Sequence, residues 1–130
     1  MTFFAGATNP QPRVLIVDDE ERLSRFVSIC LNRIGYETTF CNSVAEAENL
    51  LPSGVFSLVV TDLVMPDANG FALLTWMEEN CPEVPAIVLT AHSTPGIVKQ
   101  VAQSGAVALL KKPFSIQELY ATVSEVIDAT

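Results

Sequence analysis

Three short runs constrain this chain more than anything else in it. VLIV at 14–17, LVVT at 58–61 and AIVL at 86–89 carry almost no polar atom at odd or even positions. A strand with one wet face alternates between apolar and polar residues, and these do not. Such runs belong in a parallel sheet covered on both faces by helices. The covers are also present. Leu23, Phe26, Val27, Cys30, Leu31 and Ile34 recur at helical spacing, and Gly35 stops that helix. Ser43 with Glu46 has the pattern of a capping box for a second helix running to about Leu51. A third helix is expected over 71–79, after a loop made by Met65-Pro66 and Asn69-Gly70. Thr94-Pro95 reads as an N-cap and first-turn proline, with Ile97, Val98, Val101 and Ala102 facing inward. Ser115 and Glu118 cap a fifth helix carrying Ile116, Leu119, Val123, Val126 and Ile127. Thr38–Cys41 and Val107–Leu110 complete the strands, and the more polar Thr38–Cys41 suits a sheet edge. The expected fold is a doubly wound α/β domain with right-handed crossovers.

Composition agrees with one well-filled core: 49% of the 130 residues are apolar and 17% charged. The net charge of −8 repels phosphate backbones and argues against direct nucleic-acid binding. No apolar run approaches the ~20 residues a membrane span requires. The opening MTFFAGATNPQP lacks the basic start and long apolar stretch of a secretion signal. Residues 1–12 read as a flexible tail ahead of a domain over 13–130. Cys30, Cys41 and Cys81 are odd in number and lack metal-ligand spacing, so buried reduced thiols in a cytoplasmic protein are expected.

In a doubly wound sheet, ligands bind outside the carboxyl ends of the strands. The first strand delivers Asp18 and Asp19 there, the third Asp62, the fourth Thr90, and the fifth Lys111 and Lys112. Three gathered carboxylates repel one another unless a cation joins them. Oxygen donors alone suit Mg²⁺ best, with Mn²⁺ as a substitute. A hard ion beside a lysine handles phosphoryl groups. No glycine-rich phosphate loop follows the first strand, which speaks against nucleotide binding. A lone carboxylate such as Asp62 can itself be the nucleophile and form an acyl phosphate.

Taken in order, VDDE, TDLVMPDANG, LTAH and LLKKPF closely resemble the receiver domain of two-component response regulators, over residues 13–129. The resemblance implies a flavodoxin-like five-stranded sheet in the order 2-1-3-4-5. It implies Asp62 as phosphoacceptor. It implies Mg²⁺ bound by Asp19 directly, by Asp18 mainly through water, by Asp62, and by the backbone carbonyl of Val64. Lys112 would pair with phosphoryl oxygens, and Thr90 would hydrogen-bond the group and move inward on activation. The Lys112-Pro113 bond is expected to be cis. The donor would be a phosphohistidine on a sensor histidine kinase or histidine phosphotransfer protein. The chain would accept the group on itself and turn over no separate substrate.

Some positions depart from the family. Leu109 stands where an aromatic residue is usual. Ala108 replaces an acid typical of the winged-helix DNA-binding subfamily, and residues 115–129 contain no Lys or Arg, so that subfamily's salt-bridged dimer is not expected. Val107, Leu109 and Lys111 are expected to form a mostly apolar docking surface for an effector or output domain. Apolar Val64 should not orient water, which predicts a long-lived phosphorylated state. His92 reads as a loop residue, Glu20 and Glu21 as a solvated helix start, and Trp76 and Met77 as core or rim. The competing functions are a phosphorylation-independent interaction module and an aspartate-nucleophile phosphohydrolase. The latter usually needs a second acid where Val64 stands.

Overall fold

The computed structural model describes residues 11–65, 67 and 69–129. Residues 1–10 of the expected tail and Pro66 of the expected loop lie outside these. Strands and helices alternate throughout. They are β1 (Arg13–Val17), α1 (Glu21–Arg33), β2 (Glu37–Cys41), α2 (Val44–Leu50), β3 (Leu58–Asp62), α3 (Gly70–Asn80), β4 (Ala86–Thr90), α4 (Pro95–Gln103), β5 (Ala108–Lys111) and α5 (Ile116–Asp128). The sheet order is β2-β1-β3-β4-β5, with every pairing parallel. The more polar β2 is at an edge, as its composition predicted.

Alternate residues of each central strand feed two separate cores. Leu15, Val17, Val59 and Val88 pack with Ala47, Leu73, Met77 and Val101 from α2, α3 and α4. Val14, Ile16, Val60 and Leu89 pack with Val27, Leu31, Leu119 and Val123 from α1 and α5. Each fully buried aliphatic side chain contributes roughly 1.5–3 kcal/mol. This double burial is why the central strands read as unbroken apolar runs.

Helix ends follow local chemistry, with two departures. Ser115 and Glu118 form the reciprocal box. Ser43 accepts the Glu46 N–H, and among the described residues the return bond is absent. Asn69, expected within a loop, is the N-cap of α3 and accepts the Ala72 N–H.

α4 corrects a larger expectation. Val101 is buried and Ile97 half-buried, but Val98 is 37% exposed and Ala102 is exposed. The helix lies over the β5 side of the sheet and offers a one-residue-wide seam at i, i+4 spacing rather than a broad face. β5 begins one residue later than expected, so Val107 lies outside the strand and is 56% exposed. Among the described residues no helix is long and apolar enough to cross a membrane.

All three cysteines are free and buried. Burial, with Glu46 nearby, pushes the Cys41 thiol up to about 11, and burial also raises Cys81. A thiol reagent at pH 8 should therefore leave the native chain unmodified over minutes and titrate three thiols once denaturant is added. Rapid labelling of any thiol in the folded chain would contradict the packing described.

Candidate functional site

The carboxyl ends of β1, β3, β4 and β5 converge on one rim. Asp18 follows β1 and is 2% exposed, while Asp62 ends β3 at 7%. Thr90 ends β4 and is fully buried. Lys112 follows β5, and its backbone N–H donates to the Thr90 carbonyl at 2.9 Å. The peptide between Lys112 and Pro113 is cis, as expected.

Lys112 organises the cluster. Its Nζ donates to Asp18 Oδ2 at 3.0 Å, to Asp62 Oδ2 at 3.2 Å and to Glu20 Oε1 at 3.4 Å. The second oxygen of each buried aspartate is held by backbone. Asp18 Oδ1 accepts the Glu20 N–H at 2.9 Å, and Asp62 Oδ1 accepts the Leu63 N–H at 2.7 Å. Carboxylate oxygens of Asp18, Glu20 and Asp62 lie within 4.8 Å of one another.

One ammonium facing three carboxylates leaves the site net negative, and the two ends of the Asp18–Lys112 pair respond differently. Burial raises the Asp18 carboxyl above its ordinary value, more than its bonds to Glu20 and Lys112 lower it. Burial pulls Lys112 down, but the Asp18 and Asp62 carboxylates outweigh it and hold the ammonium above its ordinary value. The lysine serves several acids, whereas each acid has only a share of one cation. Hard oxygen donors with excess negative charge are the chemistry that takes a divalent ion. The donor set therefore fits Mg²⁺.

The other expected residues surround this core. Asp19 is exposed and lines a cleft of about 260 Å³ with Glu20, Asp62, Val64, His92 and Lys112. Val64 is 58% exposed at its mouth. The Thr90 hydroxyl accepts the His92 N–H at 2.9 Å and donates to the His92 carbonyl at 3.4 Å. Lys111 is exposed, and Leu109 is half-buried against the α2–α4 core. Glu20, read as part of a solvated helix start, is exposed at the N-cap of α1 and in addition reaches the cluster. The available signal was its place two residues after Asp18, at the N-cap of a helix that starts from the rim.

The loop that follows Asp62 is closely fitted. The Gly70 N–H donates to the Leu63 carbonyl at 2.7 Å. A Cβ at Gly70 would collide with the Asp62 carbonyl oxygen and lie 2.9 Å from Leu63 Cα. Both are backbone atoms and cannot swing aside. Gly70→Ala is expected to destabilise the fold by about 1–3 kcal/mol, the usual cost of overpacking. Urea unfolding checks this, and an unchanged midpoint would refute the close approach.

Comparison with known proteins gives a consistent picture. The response regulator receiver domain model matches residues 14–124. The alginate biosynthesis transcriptional regulatory protein AlgB of Pseudomonas syringae is 36% identical over 114 residues, covering 88% of this chain and 25% of that protein. The DNA-binding transcriptional regulator NtrC of Bradyrhizobium is 32% identical over 118 residues, covering 91% of this chain and 25% of that protein. The chain thus spans about a quarter of the length of these curated relatives. Among solved structures, the non-phosphorylated HemR receiver domain of Leptospira biflexa superposes with a TM-score of 0.86 at 32% identity, covering 92% of this chain and 97% of that one. The beryllofluoride-activated NtrC4 receiver domain dimer has a TM-score of 0.86 at 32% identity, covering 90% of this chain and 97% of that one.

Proposed function

The chain belongs to the response regulator receiver domain family, and on that footing we propose that it is a switch phosphorylated on Asp62. The observation that carries the reading is the Asp62 carboxylate at the base of an open cleft, with Lys112 Nζ at 3.2 Å. A carboxylate oxygen of Asp62 attacks the phosphorus of a phosphohistidine. The P–O bond forms as the P–N bond breaks, and the imidazole leaves with the electron pair. Leu63 N–H and Lys112 hold the carboxylate in place. Lys112 then balances charge on the phosphoryl oxygens.

A Mg²⁺ ion, or Mn²⁺ in its place, would be held by Asp18, Asp19, Asp62 and the Val64 carbonyl, with Glu20 close enough to add a contact through water. When bound it supplies charge neutralisation for the transferring group. The partners are a sensor histidine kinase or histidine phosphotransfer protein, in the cytoplasm. Val107, Leu109 and Lys111 form the surface an effector or output domain reads. Relatives named as transcriptional regulators support a role as the input module of such a protein. Exposed, apolar Val64 supports slow hydrolysis of the phosphorylated state. The test is intact mass after incubation with a small acyl phosphate, with and without Mg²⁺. Gain of one phosphoryl group that needs the metal is the expected result. No gain under any metal condition would leave the phosphorylation-independent interaction module as the better reading.

A further inference from the structure

Asp67 was singled out by no sequence signal, and the switch reading gives it no role. It lies in the loop between the acceptor and α3, yet its carboxylate caps a different helix. Oδ1 accepts the Val44 N–H at 3.1 Å, and Oδ2 accepts the Ala45 N–H at 3.0 Å. Ser43 takes the next N–H, that of Glu46, at 3.1 Å. The first three amides of α2 are thus met, two of them by a residue more than twenty positions further along. A carboxylate at this helix end is also favoured by the dipole.

The placement matters because of what lies on either side. A groove of about 350 Å³ runs past the start of α2 and is lined by Asp18, Asp19, Asn42 and Glu46. The neighbouring cleft is lined by Asp19, Asp62 and Val64. The start of α2 therefore borders the Asp18–Asp19 side of the rim, and Asp67 ends the segment that carries Val64. The tie spans the two halves of the site.

We infer that Asp67 is a positioning residue for phosphoryl acceptance: by clamping the acceptor loop to the start of α2, it sets the spacing between the Asp18–Asp19 pair and the Asp62–Val64 segment. This rests on the reading of the rim as a Mg²⁺-dependent acceptor site. Asp67 does not touch the reacting atoms. Groups that orient a metal's ligands typically change affinity 10- to 100-fold when removed.

The test compares wild type, Asp67→Ala, Asp67→Asn and Ser43→Ala. Mg²⁺ affinity is measured by titration calorimetry, the initial phosphorylation rate with a small acyl phosphate, and stability by urea unfolding without metal. Ser43→Ala removes a cap from the same helix without freeing the loop. Asp67→Ala is expected to weaken Mg²⁺ binding about tenfold and to slow phosphorylation at limiting Mg²⁺ in proportion. Asp67→Asn, which keeps one acceptor oxygen, should fall between. Ser43→Ala should lose comparable stability and stay within twofold of wild type in Mg²⁺ affinity. Asp67→Ala with wild-type Mg²⁺ affinity would overturn the inference. So would Ser43→Ala weakening Mg²⁺ binding as much as Asp67→Ala. A wild-type chain that binds no Mg²⁺ would instead remove the reading of the site itself, and this inference with it.

Discussion

Asp62→Asn is expected to abolish phosphoryl uptake outright. The amide is nearly the same shape, and its oxygen can still accept the Leu63 N–H that Asp62 Oδ1 accepts at 2.7 Å. What disappears is the anionic nucleophile. The neighbouring carboxylates are set differently. Asp18 does not line the cleft that Asp62 lines, and Asp19 and Glu20, which do, are exposed side chains, whereas Asp62 is held by the Leu63 N–H at 2.7 Å. Intact mass after incubation with acyl phosphate and Mg²⁺ should show one added phosphoryl group on wild type and none on the variant. Urea unfolding should show the variant at least as stable without metal, because one charge leaves a crowded cluster. Phosphorylation of Asp62→Asn at even a tenth of the wild-type rate would mean a different acceptor.

The second large effect is on stability. Lys112→Met should destabilise the metal-free chain by about 3 kcal/mol, the lower end of the cost of removing one partner from a buried ion pair. The Lys112 side chain is 12% exposed and that of Asp18 1%, so water cannot take the ammonium's place cheaply. Mg²⁺ should return much of the loss, since a ligand at a hundredfold over its dissociation constant stabilises by about 2.7 kcal/mol. The pH dependence has a definite sign. Asp18 has a raised carboxyl in the folded chain, so its contribution is fully present below its ordinary 3.8 and is lost as pH rises through the folded value. Acidifying from neutral should therefore narrow the gap between wild type and Lys112→Met, because protonating Asp18 removes a charge the lysine was needed to balance. The Lys112 contribution itself holds through neutral pH and is lost only as pH rises through its raised value, above 10.5. Urea midpoints at several pH values, with and without Mg²⁺, check all of this. A gap that widens on acidification would rule out the pairing as described.

How far the sequence reached can be judged from particular residues. Val14–Val17, Leu58–Thr61 and Ala86–Leu89 announced a sheet buried on both faces, because burial on two sides leaves no polar position to alternate. That in turn told which end of each strand carries chemistry, so Asp18, Asp62 and Lys112 were found without any contact information. Val98 and Ala102 were misplaced for a definite reason. Periodicity shows that residues share a helix face but not how wide a floor lies beneath it, and α4 sits over a sheet margin. Glu20 and Asp67 were missed because a carboxylate near a helix start looks the same whether it serves its own helix or something distant. Glu20 meets a lysine 92 positions away, and Asp67 meets amides 22 and 23 positions back. Local pattern could place Glu20 near the rim, but it names neither residue's distant partner.

The Thr90 hydroxyl is engaged as both donor and acceptor with the backbone of His92. A phosphoryl oxygen that recruited this hydroxyl would compete only for its donated bond, the long one at 3.4 Å to the His92 carbonyl, and would replace it with a charge-assisted one. Linkage then requires traffic both ways. On the switch proposed above, a protein that grips the segment leading from His92 into α4 would bias events at Asp62 by as much as those events bias its grip, and the listener would have a hand on the switch.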